Sequence, residues 1–424
     1  MSFKENSIEW NNDLLGDICT IKGGKRLPKG KQLSSNKTKH PYIKVKDMGE
    51  NKYICLNSGF EYLDDETFES ISRYIVNEND LIISIVGTIG LIGLIDKSLE
   101  SANLTENCVK LIDIKNVTND FLYYYLKSPI GGYEIKKGVV GSTQPKLPIY
   151  NIQKIAISYP SISEQKAIAK VLSDLDEKIE TNNKINKKLE EMAQTIFKQW
   201  FVDFEFPNED SKPYKSSGGE MVESELGMIP KGWNIKKLSE LADMKNGVNY
   251  GRNQEGEKVK VVNVRDFDGS LVVNDKKLDS VFLLQKQIND YRLQKYDTVI
   301  VRSAKPGETL LVNDDNLKVY SGFTIRIRPK DYNIKLYVFY CIRNSIRQLE
   351  NSSNGTIFKN LNQQLLGKVN VIEPTIEIIN KYNDFIKTII DKIYIVNEEI
   401  NRLTDLRNTL LPKLMSGEIR VPIN

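Results

Sequence analysis

The chain carries an internal repeat, and no other feature of the sequence constrains its fold as strongly. Short blocks in the first half match blocks in the second half in the same order, and the offset between them only shrinks along the chain. Loop deletions in one of two related units would leave this pattern, so the 424 residues are expected to form two copies of one unit. The matching blocks are Trp10-x4-Leu15 with Trp233-x4-Leu238 at 223 positions, Ile43-x-Val45-x-Asp47 with Val262-x-Val264-x-Asp266 at 219, Asp80 and Gly90 with Asp297 and Gly307 at 217, and Gly141 and Pro160 with Gly355 and Pro374 at 214.

Each copy has a β-rich part followed by a helical part. The runs that begin at Asp80 and Asp297 are short and β-branched, and Gly and Asn turns separate them from their neighbours, which predicts a β-rich α/β domain. Each helical part follows a proline, and Ser161-x-x-Glu164 is expected to form a capping box. The predicted domains are a first β-rich part at 1–160, a first helical spacer at 161–206, a linker at 207–225, a second β-rich part at 226–373 and a second helical spacer at 374–424.

The two helical parts carry apolar residues at heptad spacing. Each predicted helix spans about 38 residues, on the order of 55 to 60 Å, and has no globular core of its own to cover so long a stripe. Antiparallel pairing of the two helices is therefore expected, and the alternative is that each helix packs on its own domain. The predicted fold class is α/β (mixed α+β), with two β-rich domains joined by an antiparallel coiled coil and a pseudo-two-fold repeat. The heptad rows are Ile168, Leu175, Asn182, Leu189 and Ile196 in the first helix, and Tyr382, Ile389, Val396, Leu403 and Leu410 in the second.

The composition excludes several classes of protein. No stretch approaches the roughly 20 apolar residues that span a bilayer, and the first residues lack the apolar run of a signal peptide, so a cytoplasmic protein is expected. The four cysteines lie far apart and His40 is the single histidine, so no metal site is expected. A net charge of +4 neither demands nor forbids a polyanionic partner.

The sequence contains no convincing catalytic constellation, and none is predicted. Gly87-x2-Gly90-x2-Gly93 lacks the spacing of a phosphate-binding loop. The chain has no Pro-Pro pair, which an adenine methyltransferase motif would contain, and no Pro-Asp pair, which a restriction-type nuclease would contain. Glu164-Gln-Lys166 has the Glu-x-Lys pattern of a nuclease motif, but it lies at the start of a helix and is expected to act as a cap.

Polar loops in the β-rich parts are the candidate nucleic-acid contacts. The first copy concentrates cations and glycines between Lys22 and Lys31, which suits contact with phosphates, and Lys25, Arg26 and Lys29 are expected to make such contacts. The second copy places Asn and Arg there, which suit adenine and guanine edges. For any single residue, a solvated turn is the alternative. The predicted DNA-binding residues are Lys22, Lys25, Arg26, Lys29, Lys31, Thr88, Ser142, Thr143, Gln144 and Lys146, and, in the second copy, Asn246, Asn249, Tyr250, Arg252, Asn253, Arg302, Lys305, Thr356, Lys359 and Asn360.

Four further segments carry a resemblance to a known family, over almost the whole chain. Together they resemble the specificity subunit of a type I restriction-modification system. One departure is visible, because Ile378-Ile379 stands where the family pattern and the first copy have Glu-Gln, and partner contacts at that end are expected to be weakened or rebuilt. The segments are Gly141-Ser-Thr-Gln-Pro-Lys-Leu147, Ile196-Phe-Lys-Gln-Trp200-Phe-x-Asp203-Phe204, Ile229-Pro-Lys-Gly-Trp233 and Leu410-Leu-Pro-Lys-Leu414-x-Ser-Gly417-Glu418.

The resemblance implies a division of labour between this chain and its partners. Two target-recognition domains would each read about half of a split, asymmetric site in double-stranded DNA, and the helix pair would act as a ruler between them. Two modification subunits would methylate adenine N6 with S-adenosylmethionine, and two restriction subunits would use ATP and Mg²⁺, so no cofactor and no membrane contact are expected for this chain. The predicted partner-binding residues are Gln165, Trp200, Phe201, Phe204, Leu410, Leu411 and Leu414.

Two other functions remain open at this point. A stand-alone DNA-binding scaffold of another defence complex would share the repeat and the helices, and its purification without a methyltransferase would favour it. An autonomous DNA-modifying enzyme would be indicated by methyl transfer from the isolated chain.

Overall fold

The computed structural model describes residues 10–49, 51–251, 254–352 and 361–422, with side chains omitted for 347–352. The chain divides into two compact units, one formed by residues 1–181 with 402–424 and the other by residues 182–401. Each unit contains one β-rich part and portions of two long helices. The predicted domain limits follow the sequence repeat and stay a prediction.

The β-rich part of the first copy is built around one larger sheet. Its strands are β1 (Asn11–Leu14), β2 (Thr20–Gly23), β3 (Pro41–Ile43), β4 (Tyr53–Ile54), β5 (Glu61–Tyr62), β6 (Leu81–Ser84), β7 (Ile92–Ile95), β8 (Asn103–Leu104), β9 (Cys108–Ile112) and β10 (Ala156–Tyr159). The larger sheet has the order β2-β9-β6-β7-β4, beside a sheet β5-β3-β8 and a pair β1-β10. All four residues of β6 are buried, as expected of an apolar strand with a neighbour on each side.

Short helices cover the sheets of the first copy, and a long helix follows them. The helices are α1 (Leu15–Ile18), α2 (Asp65–Ile71), α3 (Asn119–Lys127), α4 (Pro129–Lys137), α5 (Ile149–Ile152) and α6 (Ile162–Phe201). Thr118 caps α3 by accepting a hydrogen bond from the backbone N–H of Phe121, and buried aromatic and aliphatic residues from Phe121 to Leu126 pack α3 into the core. The helix therefore joins the sheet to the rest of the first unit.

The second copy repeats this arrangement. Its strands are β11 (Met221–Ser224), β12 (Gly227–Pro230), β13 (Asn234–Lys237), β14 (Ala242–Asn246), β15 (Glu257–Val262), β16 (Asp279–Leu283), β17 (Thr298–Val301), β18 (Thr309–Leu311), β19 (Lys318–Tyr320), β20 (Thr324–Pro329) and β21 (Asn370–Glu373). Its helices are α7 (Leu238–Leu241), α8 (Gln285–Tyr291), α9 (Lys335–Ser352), α10 (Gln363–Gly367) and α11 (Ile376–Met415). The sheets are β14-β20-β17-β18, β16-β15-β19, β13-β21 and the hairpin β11-β12.

The sheet topology confirms the internal repeat. Strands β14, β20, β17 and β18 occupy the places of β2, β9, β6 and β7, and the sheet β16-β15-β19 matches β5-β3-β8 in both order and direction. The turn before the central strand is also repeated, because the carboxylate of Asp80 accepts from the backbone of Asn77 at 3.0 Å and that of Asp297 from Gln294 at 2.8 Å. Only β4 has no counterpart strand among the described residues of the second copy.

The two long helices, α6 and α11, pack antiparallel to each other. Each contains 40 residues, close to the predicted 38. In the first unit, Asp176 of α6 pairs with Arg407 of α11 at 2.7 Å. In the second unit, Asn182 bonds Glu399 at 2.9 Å and the ring of Trp200 lies 6.0 Å from that of Tyr382. In these contacts, later residues of α6 meet earlier residues of α11, so the two helices run antiparallel. The predicted antiparallel pair and the mixed α+β fold class are confirmed.

Candidate nucleic-acid interface

In the first unit, loop backbones assemble into one edge beyond the end of β2. The N–H of Gly24 donates to the carbonyl of Cys108 at 3.0 Å, and the N–H of Lys25 donates to that of Leu104 at 2.8 Å. A Cβ atom on Gly24 would collide with the carbonyl oxygen of Thr105, so glycine is required by this close approach. The loop after β2 is thereby fastened to the turn that joins β8 to β9.

Two further hydrogen bonds extend this edge. The N–H of Ile85 donates to the carbonyl of Asn107 at 2.8 Å, and the N–H of Leu147 donates to that of Ile85 at 2.9 Å. Residues 24–25, 85, 104–108 and 147 are therefore neighbours. We call these segments, together with the loops 26–31, 86–90 and 141–146 that extend from them, the first edge. Most of the predicted DNA-binding residues of the first copy lie on it.

The second unit builds an equivalent second edge from residues 247–251, 302–307, 321–323 and 361. Its four backbone hydrogen bonds stand at the repeat offsets from those of the first edge, so the equivalence holds atom by atom. A Cβ on Gly247 would also collide with a carbonyl oxygen, that of Ser321, as on Gly24. The four bonds run from Gly247 to Thr324 at 3.0 Å, from Val248 to Tyr320 at 2.9 Å, from Arg302 to Phe323 at 3.1 Å and from Leu361 to Arg302 at 2.8 Å.

The predicted residues of the first edge differ in how far their side chains are engaged. Lys22, Lys25 and Lys29 are exposed. Arg26 is ion-paired with Glu106 at 2.6 Å, and Lys31 is ion-paired with Glu66 at 2.6 Å. The remaining predicted residues, Thr88, Ser142, Thr143, Gln144 and Lys146, are all exposed. The structure thus places Lys25, Arg26 and the polar 142–146 loop near the same turn, and a role of these residues in binding DNA stays a prediction.

The second edge contains fewer exposed predicted residues among those described. Asn246 and Asn249 are exposed, and the hydroxyl of Tyr250 donates to Asn263 at 3.0 Å. Arg302 is half-buried, and Lys305 lies 3.6 Å from Glu308. Five predicted residues lie outside the described residues, namely Arg252, Asn253, Thr356, Lys359 and Asn360. Which residues contact DNA stays a prediction at both edges.

Two residues of the edges were missed by reasoning from sequence. Phe323 follows β19 in the second edge, and 64% of its surface is exposed although it is a large aromatic side chain. Glu106 stands in the equivalent turn of the first edge and holds Arg26. Cys108 and Thr324 are equivalent at an offset of 216 positions. This offset aligns Asn107 with Phe323 and Glu106 with Gly322, and the unlike residues in these pairs are the signal that could have identified Phe323 and Glu106. The two edges therefore carry different side chains at positions whose backbone hydrogen bonds correspond.

The ion pair on the first edge is charged at neutral pH. Partial burial raises the pKa of the Glu106 carboxyl, but hydrogen bonds from Arg26 and from its surroundings outweigh that effect and leave the pKa below its ordinary value. The same hydrogen bond raises the pKa of Arg26. Both groups therefore remain ionised across the physiological range.

The aromatic residues at the end of α6, which were predicted to bind a partner, lie in the chain's own core. Trp200, Phe201 and Phe204 are at most 8% exposed and belong to the core of the second unit. Phe201 packs against Tyr337 and Tyr382, with ring centroids 4.6 and 4.8 Å apart. A heptad pattern cannot distinguish a stripe that meets a partner from one that meets the chain's own domain, and here the domain covers it.

The remaining predicted partner-binding residues lie in the first unit. Gln165 is fully buried, where its amide donates to the carbonyls of Asn116 and Pro160 and accepts from the N–H of Thr118. Leu414 is buried, and Leu410 and Leu411 are half-buried against the same core. Gln165 and Leu414 therefore belong to the interior of the first unit, whereas contact of a partner with the exposed parts of Leu410 and Leu411 stays a prediction.

Glu164 lies in the first turn of α6, as expected, but its carboxylate makes a contact that the sequence did not indicate. Its backbone N–H lies 3.5 Å from Ser161 Oγ, a long contact, while its carboxylate is 1% exposed and is paired with the guanidinium of Arg420. The equivalent residues Ile378 and Ile379 are buried in the second unit. The Glu-Gln to Ile-Ile difference therefore replaces a buried polar network by apolar packing, and it bears on the chain's own core rather than on a partner.

Neither a metal cluster nor a membrane span is evident in the residues described. Within this part of the chain, no three His, Cys, Asp or Glu side chains are grouped as metal ligands. No helix there combines the length and the apolar character needed to cross a bilayer.

Comparison with known proteins gives the class to which this fold and these edges belong. The family model described as the type I restriction modification DNA specificity domain matches residues 7–191 and again residues 230–405. The chain belongs to this family, whose role is DNA recognition in type I restriction-modification, and the resemblance carried by its motifs is confirmed.

Curated relatives and a solved structure agree with this family. The chain is 27% identical to the type I restriction enzyme MjaIX specificity subunit of Methanocaldococcus jannaschii, over 99% of this chain and 96% of that one. It is 23% identical to the HindI specificity subunit of Haemophilus influenzae, over 91% and 92%. The crystal structure of the S subunit of a type I system from M. genitalium shares the fold, with a TM-score of 0.57, 17% identity and 98% coverage of both chains.

Proposed function

We propose that this chain recognises a split, asymmetric DNA site and directs an adenine methyltransferase and an ATP-dependent endonuclease to it. The observation that carries the proposal is the pair of equivalent edges, each held by the same four backbone hydrogen bonds. One backbone framework presents different polar side chains in its two copies, which suits the reading of two unlike half-sites.

The side chains that differ support an asymmetric site. Thr88 on the first edge corresponds to Lys305 on the second, and Asn107 corresponds to Phe323. A hydroxyl and an ammonium group, or an amide and an aromatic ring, satisfy different base edges and phosphates. Because one chain carries both edges, the two half-sites need not be related by symmetry, unlike those of a dimeric repressor.

The helix pair supports a fixed separation between the half-sites. Helices α6 and α11 are continuous over 40 residues each, and polar pairs occur along them, including Asn186 with Asn397 at 2.7 Å. Buried or half-buried polar pairs in a helix seam favour one register over others. A helix pair in one register acts as a spacer of constant length, and the length of the non-specific DNA between half-sites follows from it.

The chemistry of the complex is assigned to partner subunits. Two modification subunits would bind S-adenosylmethionine and methylate adenine N6, and two restriction subunits would bind ATP and Mg²⁺. This chain would select the site without catalysing either reaction, in the cytoplasm, where incoming DNA is met. The family of the chain supports this assignment, since its members are specificity subunits.

The direct test is to map methylated adenines in DNA from cells that express this chain with its modification partner. A two-part motif with a constant spacer is expected. Replacing residues 1–158 with the corresponding part of another family member should change one half of that motif only. A change in both halves, or methylation that follows no motif, would contradict the proposal.

A second experiment tests the spacer. Inserting one heptad after Asn186 and a matched heptad before Asn397 lengthens both helices by about 10 Å while keeping their facing residues, which corresponds to about three base pairs. The spacer in the methylated motif should lengthen accordingly. The same insertion in α6 alone serves as the control, because it breaks the register and should abolish methylation instead of lengthening the spacer.

A further inference from the structure

Arg26 and Asn249 occupy the same position on the two edges. Each lies two residues beyond the glycine that packs against the neighbouring turn, Gly24 in the first edge and Gly247 in the second. The residue between them, Lys25 or Val248, donates its N–H to an equivalent carbonyl in each copy. The two side chains therefore leave equivalent backbones, and both are exposed.

The first edge orients the guanidinium of Arg26. Its Nε atom donates to the carboxylate of Glu106 at 2.6 Å, while 80% of the arginine side chain stays exposed. A guanidinium held through Nε still offers the paired N–H groups at its terminal nitrogens, and this fork matches the O6 and N7 acceptors of guanine. Orientation by a neighbouring group reduces the conformational entropy lost when that fork binds.

The same carboxylate makes Arg26 a poor phosphate ligand. A phosphate that approached the guanidinium would also meet the negative charge of Glu106, and like charges a few ångströms apart repel. A guanine edge carries no net charge and avoids this repulsion. The ion pair therefore favours a base contact by Arg26 over the phosphate contact expected from sequence for Arg26, Lys25 and Lys29.

The second edge supports Asn249 by a different means. Gly322 stands where the first edge has Glu106, and a Cβ atom at that position would collide with Oδ1 of Asn249. The asparagine amide thus occupies space beside Gly322, and any larger residue at position 322 would displace the amide. A side-chain amide offers one donor and one acceptor, the pair that adenine presents at N7 and N6 in the major groove.

We propose that Arg26 and Asn249 are equivalent base-reading residues, with Arg26 contacting a guanine in one half-site and Asn249 contacting an adenine in the other. Glu106 is a positioning residue for Arg26, and Gly322 leaves the space that Asn249 occupies. This inference rests on the proposed function and names the residues through which each half-site is read. It also makes the two positions interchangeable in principle, since their backbones correspond.

The test uses the complete complex of this chain with its modification partner and a duplex that contains the mapped motif. Arg26→Asn should alter the preference at a single base pair of one half-site and weaken binding to the original duplex by about ten- to a hundredfold, with the slope of affinity against salt unchanged. Asn249→Ala should alter a single base pair of the other half-site. The matched control, Lys29→Gln, should lower the salt slope and leave the motif intact.

Glu106→Gln tests the positioning role. It removes a negative charge from the edge, so total affinity at low salt should not fall, while the preference for guanine over other bases at the position read by Arg26 should weaken. A merely structural role for Glu106 would lower all affinities together. All these positions are at the surface or half-buried, and unchanged thermal unfolding will show that the variants are folded.

Distinct results would overturn the inference and the proposed function. If Arg26→Asn leaves the motif unchanged and lowers the salt slope by about 0.9, Arg26 is a phosphate contact and the inference is wrong while the function stands. If Asn249→Ala leaves every base preference unchanged, the second half of the inference is wrong. If the unaltered complex shows no sequence preference at all, the proposed function itself fails, and the inference with it.

Discussion

The two units differ in the groups that join their β-rich parts to the long helices in addition to the apolar packing that both units share. In the first unit Ile168 and Leu172 of α6 lie in the apolar core. Beside that core is a polar network, which we call the polar joint, in which the hydroxyl of Tyr124 donates to Asp176 at 2.7 Å and Lys52 donates to Ser173 at 2.6 Å. In the second unit the joint is an aromatic cluster in which Phe197, Phe201 and Tyr337 pack on α11 around Tyr382. Tyr124 lies on α3 and Tyr337 on α9, and these two helices follow the equivalent strands β9 and β20.

The difference shows which features of the repeat are fixed and which are free to vary. Backbone bonds at the edges recur one for one, since they position the loops. The joints need only cohesion, and a hydrogen-bonded network or an apolar cluster can supply it. A polar joint depends on every partner being present, whereas an aromatic joint depends on shape and on the area removed from water. The two joints should therefore respond differently to substitution, pH and salt.

The largest effect is expected in the aromatic joint. Phe201→Ala removes a ring that is 4% exposed and leaves a cavity between α6, α9 and α11, so the free energy of unfolding should fall by about 3 to 5 kcal/mol. Denaturant unfolding measures this. Phe385→Ala is the matched control, because that ring is 56% exposed and also contacts Trp200. Equal losses in the two variants would show that the cluster is not a core.

The polar joint should show the next largest effect. Asp176→Ala leaves the hydroxyl of Tyr124 and the guanidinium of Arg407 without their shared acceptor, and the free energy of unfolding should fall by about 1 to 3 kcal/mol. Asp174→Ala, which removes an exposed carboxylate paired with Lys170, should cost much less. In a Tyr124→Phe background, Asp176→Ala should lower the free energy of unfolding by less than it does in the unaltered chain. If the two substitutions are additive in this double-mutant cycle, Tyr124 and Asp176 are not coupled.

Alkaline pH should weaken both joints by a similar amount per tyrosine. Tyr340 belongs to the aromatic joint, because its ring stacks on that of Phe197 with centroids 5.8 Å apart. Burial raises the pKa of Tyr124 and of Tyr340 above the ordinary value, so the folded chain keeps both phenols neutral. Their contribution to stability is complete below pH 10, where the unfolded phenol is also neutral, and is lost as the pH rises. At pH 11 the loss should be about 1.4 kcal/mol for each such tyrosine.

Comparing unfolding at pH 8 and pH 11 for the unaltered chain and for Tyr124→Phe isolates one phenol. The variant should lose less stability between the two pH values than the unaltered chain does. Tyr133→Phe, at a side chain that is 67% exposed, should follow the unaltered chain. A Tyr124→Phe variant with the same pH dependence as the unaltered chain would show that this phenol ionises freely in the folded state.

The smallest effect separates two lysines of the first edge. Lys29 is exposed, whereas the ammonium group of Lys31 is paired with Glu66 at 2.6 Å. If Lys29 contacts a phosphate, Lys29→Gln should lower the salt slope of DNA binding by about 0.9, and Lys31→Gln should lower it by less. Binding measured between low and physiological salt would decide this. A larger change at Lys31 would mean that the ion pair opens on DNA.

Much of the fold could be predicted because its signals are local. The heptad rows predicted two helices of nearly the observed length, and the order of matching blocks predicted two copies with the same strands. The loops that carry the candidate contacts were also found, since glycines and cations cluster in them. Periodicity and turn composition depend on residues a few positions apart, which a sequence displays directly.

The contacts that the sequence did not indicate join residues far apart in the chain. Trp200 and Phe201 fit a partner-docking stripe as well as a core, and only the approach of α9 and α11 shows that they are covered. Glu164 fits the sequence pattern of a helix cap, yet its carboxylate is ion-paired with Arg420, which lies more than 250 positions away in the chain. The pairing of Arg26 with Glu106 was equally hidden, because a turn in the β8–β9 connection brings the carboxylate to the first edge.

The sequence by itself determined that this protein has two related units, two long amphipathic helices that pair, and loops in which glycines and polar or charged residues cluster. Repetition, heptad spacing and loop composition are written in the order of residues, so no folded structure is needed to find them. The tertiary structure alone decided which buried side chains serve the chain itself, how each β-rich part is fastened, and which exposed side chains share one backbone position in the two edges. Those properties depend on long-range approach of strands and helices, where a hydrogen bond or a ring contact forms only once the chain has folded.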